Sequence, residues 1–342
     1  MRPNRGLFCN ALLGSIVSAL LLTSAFAKPK PMQIYLVDVE GGQAALFVSP
    51  SGQSLLIDTG WPGERDAARI VEAAKAAGVK QLDYVLITHY HRDHVGGVPE
   101  LAKRIKIRTF VDHGPNEEDA NDPREDFAAY AKIAADAKRL TVKPGDGIPV
   151  AGITVKVLTS AGAHIESPLP GAGEANSYCA NEPTPPVDQT ENARSLGTLI
   201  TYGKFRAIDL GDLTKDKELE LACPNNMLGH VDLFIVTHHG AYLSNSKSLV
   251  WAMHPRVALM DNGVDKGASP AAWQIIRDSP GLEGLWQLHY ATEGGKDHNV
   301  PSDMIANLDE KPDKANYIKV LAEPDGEFTV INSRNQQKKT YR

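Results

Sequence analysis

The stretch VLITHYHRDHVGG, residues 85–97, decides the reading of this chain. Val85, Leu86 and Ile87 predict a short buried strand, and Gly96-Gly97 opens a turn into a helix. Between them stand His89, His91, Asp93 and His94, which offer imidazole and carboxylate donors, the ligands that zinc accepts. A chain leaving a strand into a tight loop can fold such closely spaced groups around one point. A lone histidine would be read as a core or surface residue, but four metal-competent side chains within six residues predict a metal site.

His-x-His-x-Asp-His followed by Gly-Gly resembles the signature of the metallo-β-lactamase superfamily, whose members are mostly two-metal hydrolases. The resemblance implies an α/β fold, the four-layer αββα sandwich of the metallo-β-lactamase type. It also implies two zinc ions, or another divalent metal such as manganese. The remaining segments can be laid against that pattern.

MQIYLVDVEGGQAALFVSPSGQSLLIDTG, residues 32–60, predicts three strands with turns at Gly41-Gly42 and Ser51-Gly52. Asp58 ends the third and is placed to orient a ligand histidine, with a turn aspartate as the plainer alternative. Leu-x-Asp-Val and Leu-Ile-Asp-Thr-Gly look like the soluble hydrolase domain of ComEC-type DNA-uptake proteins. The chain departs from that family in reading Glu40-Gly41-Gly42-Gln43-Ala44 where Gly-Gln-Gly-Asp is usual. Amphipathic helices are predicted over 64–77, capped by Gly78, and over 124–139, with a helix near 98–104 and a strand over 107–111. His113 is a reserve ligand or a structural residue. Pro144-Gly145-Asp146-Gly147 matches the superfamily's Gly-Asp turn, and the strand ITVKVLTS leads to His164. In the superfamily the third histidine of the first metal site follows a Pro-Gly at this place; His164 is displaced by one residue and lacks the proline. Residues 165–191 carry Pro168, Pro170, Pro183, Pro185 and Pro186 without strand or helix period, and predict a long loop beside the site.

NARSLGTLITYGKFRAIDLGDLT, residues 192–214, predicts a hairpin closed by Gly211-Asp212. An Asn and a Ser before such a hairpin, here Asn192 and Ser195, again resemble the ComEC-type hydrolase. By that match Asp212 bridges two metals; Asp209, inside the strand, is less well placed. VDLFIVTHHG, residues 231–240, repeats the opening logic. His238 stands after Thr237 as His89 stands after Thr88, which makes it the expected last ligand of the second metal, with His239 as proton donor or ligand. Further strands are expected at VALMDNG, 285–290, 317–322 and 327–332, and a helix at 270–278.

The resemblance then implies a first ion at His89, His91 and His164, with His113 as the alternative third ligand. A second sits at Asp93, His94, Asp212 and His238. A metal-bridging hydroxide would attack the substrate, with Asp93, Asp212 and His239 as the catalytic set. No Gly-x-Ser-x-Gly elbow is present to supply a serine nucleophile. Three functions fit: a phosphodiester or phosphoester hydrolase, following the ComEC-type resemblance; a β-lactam or lactone hydrolase; and a non-catalytic metal-binding module.

At the amino terminus, Arg2 and Arg5, an apolar run from Ala11 to Leu22, and Ala25-Phe26-Ala27 predict a signal peptide over 1–27, with a membrane anchor as the alternative. One domain is expected over 28–342. Export implies a periplasmic or secreted protein without stable membrane insertion after cleavage. Of the three cysteines, Cys9 falls in the leader, leaving Cys179 and Cys223 for one disulfide. Losing Arg2 and Arg5 takes the formal charge from −6 to −8. That balance disfavours long nucleic acid and favours a small-molecule or cell-envelope ester as substrate.

Overall fold

The computed structural model describes residues 1, 29–118, 124–309 and 315–342, so all but the first residue of the expected leader lies outside the described residues. Two large sheets face one another. The first runs, in spatial order, Lys338–Tyr341, Phe328–Asn332, Ile318–Ala322, Met32–Leu36, Ala45–Val48, Ser54–Ile57, Tyr84–Leu86, Thr109–Asp112 and Lys138–Thr141. It is antiparallel as far as Ser54–Ile57 and parallel beyond. The second runs Ile305–Asn307, Gly284–His289, Val257–Met260, Leu233–Ile235, Phe205–Asp209, Gly197–Tyr202, Thr154–Ser160 and Gly147–Ile148. Its strands are parallel from Ile305–Asn307 to Phe205–Asp209 and antiparallel after that.

Strand alternation explains the layers, because successive side chains point to opposite faces. Ile34, Leu36, Phe47, Leu55 and Ile57 of the first sheet meet Val155, Val157, Phe205, Leu233 and Leu259 of the second in one inter-sheet core. The opposite faces bury a second set of residues under helices. Tyr35, Leu46, Leu56 and Val85 pack with Ile70, Ala74, Leu101 and Tyr130 from Glu64–Ala76, Val98–Arg104 and Arg124–Ala135. Ile208, Phe234, Ala258 and Leu285 pack with Leu221, Val250, Trp273 and Ile276 from Lys215–Ala222, Lys247–Met253 and Pro270–Arg277. Helix, sheet, sheet, helix is the four-layer order expected from the sequence.

The predicted helix over 124–139 ends earlier, at Ala135, and Lys138–Thr141 is an edge strand parallel to Thr109–Asp112. Pairing decided against the helical pattern: Arg139 Nη2 donates to Asp112 Oδ1 at 3.1 Å, an anchor to the neighbouring strand. The strands Ile305–Asn307 and Lys338–Tyr341 and the helices Lys215–Ala222 and Lys247–Met253 are additions to the sequence reading. Cys179 and Cys223 are joined, Sγ to Sγ 1.99 Å, as expected; the bond ties the loop after His164 to the end of Lys215–Ala222. Among the described residues no helix is long and apolar enough to cross a membrane.

Candidate metal centre

The parallel halves of both sheets deliver their loops to one rim, the usual place for a site in α/β sheets. His89, His91, Asp93 and His94 follow Tyr84–Leu86 of the first sheet, the last two on the single turn Arg92–Val95. Asp212 follows Phe205–Asp209, and His238-His239 follow Leu233–Ile235, both in the second sheet. Close approach is built in by glycine: a Cβ on Gly211, at φ +56°, would meet Thr88 Cβ at 2.8 Å, and one on Gly42 would meet the Asp93 carbonyl at 2.5 Å.

Asp93, His94, Asp212 and His239 each offer a ligand atom, and those atoms lie within 4.8 Å of one another. His94 Nε2 is 3.3 Å from Asp93 Oδ2 and 3.2 Å from Asp212 Oδ2. His239 Nε2 is 3.2 Å from Asp93 Oδ2 and 3.5 Å from Asp212 Oδ1. Beside this group, His89 Nε2 is 3.1 Å from His91 Nδ1 and 3.9 Å from Asp212 Oδ2. His238 Nε2 lies 3.4 Å from the same Asp212 Oδ2. Asp212 therefore stands between two sets of nitrogens. His238 and His239, neighbours in sequence, divide between the sets because both hold left-handed backbone, φ 54° and 53°. His239, not His238, closes on Asp93.

The other nitrogen of each ring faces an anchor. His94 Nδ1 meets Asp58 Oδ2 at 2.7 Å, His89 Nδ1 meets Thr88 Oγ1 at 3.0 Å, and His91 Nε2 meets Glu118 Oε2 at 3.2 Å. His238 Nδ1 meets Ser244 Oγ at 3.1 Å, and His239 Nδ1 lies 3.3 Å from Asp261 Oδ2. Outer partners of this kind fix ring orientation and leave the inner nitrogens for a metal. Asp58 thus occupies the orienting place expected of it. Glu118, Ser244 and Asp261 were not singled out from sequence. Asp261 alone carried a signal there, an aspartate at a strand end two residues before a glycine, as at Asp58.

The electrostatics ask for positive charge. Burial would lower the His94 pKa, but Asp212, Asp93 and Asp58 together hold it well above the usual imidazole range. Burial opposes the charged form of His239 too, yet Asp212, then Asp261 against Lys266, push it up to about 10. Burial would raise Asp212; the histidines 238, 94 and 239 hold it well below the carboxylate range. His89 is lowered, by burial first and then by its histidine neighbours. Deeper in, Asp209 is pushed up to about 7 by burial, and Gln43 Nε2 donates to both its oxygens, at 2.9 and 3.0 Å. Gln43, the departure from the ComEC-type motif, therefore caps a buried carboxyl under the site.

Two predicted residues stay apart from the cluster. His164 Nδ1 donates to the Ile165 carbonyl at 2.9 Å, and its Nε2 faces Glu220 at 3.6 Å. The short turn after Thr154–Ser160 sends it toward Lys143 and Pro168 rather than to His89. His113 is buried with its Nε2 3.0 Å from Glu191. A metal fits the residues that do converge: His94 Nε2, His239 Nε2 and Asp212 Oδ1 are buried without a hydrogen-bond partner, a costly arrangement that an ion would relieve.

Residues 38–180 match the family model described as Metallo-beta-lactamase superfamily. ComE operon protein 3 of Bacillus subtilis is 23% identical over 254 residues, 68% of this chain and 28% of that protein. Recombination protein 2 of Haemophilus influenzae is 25% identical over 247 residues, 71% of this chain and 26% of that protein. A hydroxyacylglutathione hydrolase of Rhodopseudomonas palustris is 38% identical over 97 residues, 28% of this chain and 31% of that protein. The chain thus spans under a third of the length of each of these relatives. The solved metallo-beta-lactamase fold protein YhfI from Bacillus subtilis is 13% identical, with a TM-score of 0.47, over 75% of this chain and 96% of that one.

Proposed function

This chain carries a metallo-beta-lactamase superfamily domain, and from that premise we propose an exported two-metal hydrolase that cleaves phosphodiesters or phosphoesters. The observation behind it is the set of buried, unpartnered donor atoms on His94, His239 and Asp212, backed by four hydrogen-bonded imidazoles. His89, His91 and His238 would hold one ion, and Asp93, His94 and His239 the other, with Asp212 shared. His238 then takes the place the sequence pattern gave to His164. Zinc suits the nitrogen and oxygen donors, and manganese is the alternative. Bound divalent ions supply Lewis acidity and lower the pKa of water at the site.

The chain's own residues do the rest. Asp58, Thr88, Glu118 and Ser244 hold the rings of His94, His89, His91 and His238 so that their inner nitrogens converge, and Asp261 stands beside His239. Asp93 and Asp212, held ionised by the neighbouring imidazoles, would supply the negative charge that keeps the ions in place. The phosphoester reading rests on the long alignments with ComE operon protein 3 and recombination protein 2, and a shorter one with a protein named ribonuclease Z. The likeness to hydroxyacylglutathione hydrolase supports a second reading, hydrolysis of a thioester, lactone or β-lactam. The net charge, −6 for the full chain and −8 without Arg2 and Arg5 of the predicted leader, favours a small or cell-envelope substrate over long nucleic acid. The Cys179–Cys223 bond and the predicted leader support export.

The test compares a chromogenic bis-aryl phosphate, single-stranded DNA, a cephalosporin and an acyl lactone, with Asp212→Ala as blank. Metal-dependent phosphate turnover, lost together with bound metal in that variant, is expected. Turnover of the cephalosporin or lactone alone would overturn the phosphoester reading.

A further inference from the structure

Asp93 Oδ2 has three nitrogen neighbours. Two are His94 Nε2 and His239 Nε2, at 3.3 and 3.2 Å. The third is the Lys266 ammonium, in direct ion-pair contact. Lys266 comes from a loop pressed against the ligand backbone. Ala268 N donates to the His239 carbonyl at 2.8 Å and Ser269 N to the Gly240 carbonyl at 2.9 Å. A Cβ on Gly267 would come within 2.1 Å of the His239 carbonyl, and one on Gly41 would meet Lys266 Cβ at 3.0 Å. The lysine stem therefore starts from a fixed point beside the site. Its other neighbour is the Trp61 ring, with the ammonium 4.8 Å from the ring centre and the side chain 37% exposed.

A carboxylate oxygen flanked by two imidazole nitrogens is where the second ion would bind, and an ammonium already sits on it. Two cations on one oxygen repel. The indole face, already 4.8 Å from the ammonium, holds it by cation–π attraction once the carboxylate contact is lost. We propose that Lys266 is a tethered cation that holds the second ion's place, so that this ion binds in exchange for the ammonium's contact with Asp93, while the ammonium keeps its place over the Trp61 ring. The inference rests on the two-ion reading above. It makes the two sites unequal: the second ion must displace the ammonium and binds more weakly than the first.

The full chain, stripped of metal, is titrated with zinc against a chromogenic chelator as wild type, Lys266→Met and Lys266→Arg. Methionine keeps an apolar stem and removes the charge. The expected result is second-ion binding at least tenfold tighter in Lys266→Met, with first-ion binding within threefold of wild type and Lys266→Arg close to wild type. The unchanged first step also shows that the variant is folded. Amine-reactive labelling read by peptide mass spectrometry should modify Lys266 faster in the loaded than in the ion-free wild type. Two ions in both proteins with an unchanged second affinity would overturn this inference alone. A single ion in both would overturn it and the two-ion reading together.

Discussion

Asp58→Asn tests the ring-anchoring argument with the smallest change available. Asp58 is fully buried and sits at φ 59°, left-handed backbone that asparagine also tolerates, so the turn survives. Its Oδ1 accepts from Thr88 N at 2.8 Å; its Oδ2 accepts from Thr88 Oγ1 at 2.6 Å and faces His94 Nδ1 at 2.7 Å. With the amide oxygen kept on Thr88 N, the new NH2 points at His94 Nδ1–H. The ring can answer only by moving its proton to Nε2, the atom that faces Asp93 and Asp212. Turning the amide over instead leaves the Thr88 N–H without a partner in the interior. Either conflict costs about 1–3 kcal/mol. Loss of such an outer partner weakens metal binding about 10–100-fold, equivalent to about 1.4–2.7 kcal/mol. The loss should fall on the second ion, whose ligand is His94, and much less on the first. A chelator competition titration reads both steps. Second-ion affinity within twofold of wild type would refute the argument that Asp58 fixes the His94 tautomer.

His164→Ala should leave both metal-binding steps unchanged, whereas His238→Ala should weaken the first by more than tenfold; metal analysis after dialysis against chelator separates them, and the reverse pattern would restore His164 as ligand. Protons on His94 and His239 compete with the second ion, so its binding should release protons and weaken as pH falls; calorimetry in buffers of different ionisation heat counts them. For the ion-free protein the sign follows from raised folded-state values: the stabilisation by protonated His94 and His239 is complete below the ordinary imidazole pKa and is lost as pH rises toward about 10 for His239. Thermal midpoints of the ion-free chain that climb across that range would contradict it. Removing the Cys179–Cys223 bond, which closes a separation of 44 residues, should cost about 4 kcal/mol in the chain-entropy model; a denaturant midpoint shift worth under about 1 kcal/mol would show that the loop is held by other contacts.

The ligand types were legible because they are local. Residues 89–94 leave one strand within six positions, so their donor groups start close together. The partition of His238 and His239 was not, since analogy with Thr88-His89 ignores the two left-handed residues that turn the rings apart. Glu118, Ser244 and Asp261 reach the rings from other segments, and only tertiary packing shows which carboxylate or hydroxyl arrives. Layering was legible from apolar runs, yet Lys138–Thr141 read as the end of a helix because an exposed edge strand carries no apolar alternation. Lys266 carried no sequence signal; a lysine in DNGVDKGAS looks like any solvated loop residue.

The convergence of both sheets on one rim gives the ions a mechanical part as well. Four candidate ligands hang from the first sheet and three from the second. The rim already has direct contact, with Leu196 N donating to the Thr88 carbonyl at 2.8 Å. Ions bound there would rivet the two leaves of the sandwich along that margin, while the apolar layer between the leaves holds the middle without them. Stripping the metal should loosen the margin and spare the centre. Amides around residues 88–97, 211–214 and 237–240 would then exchange first, well before those of the strands behind them.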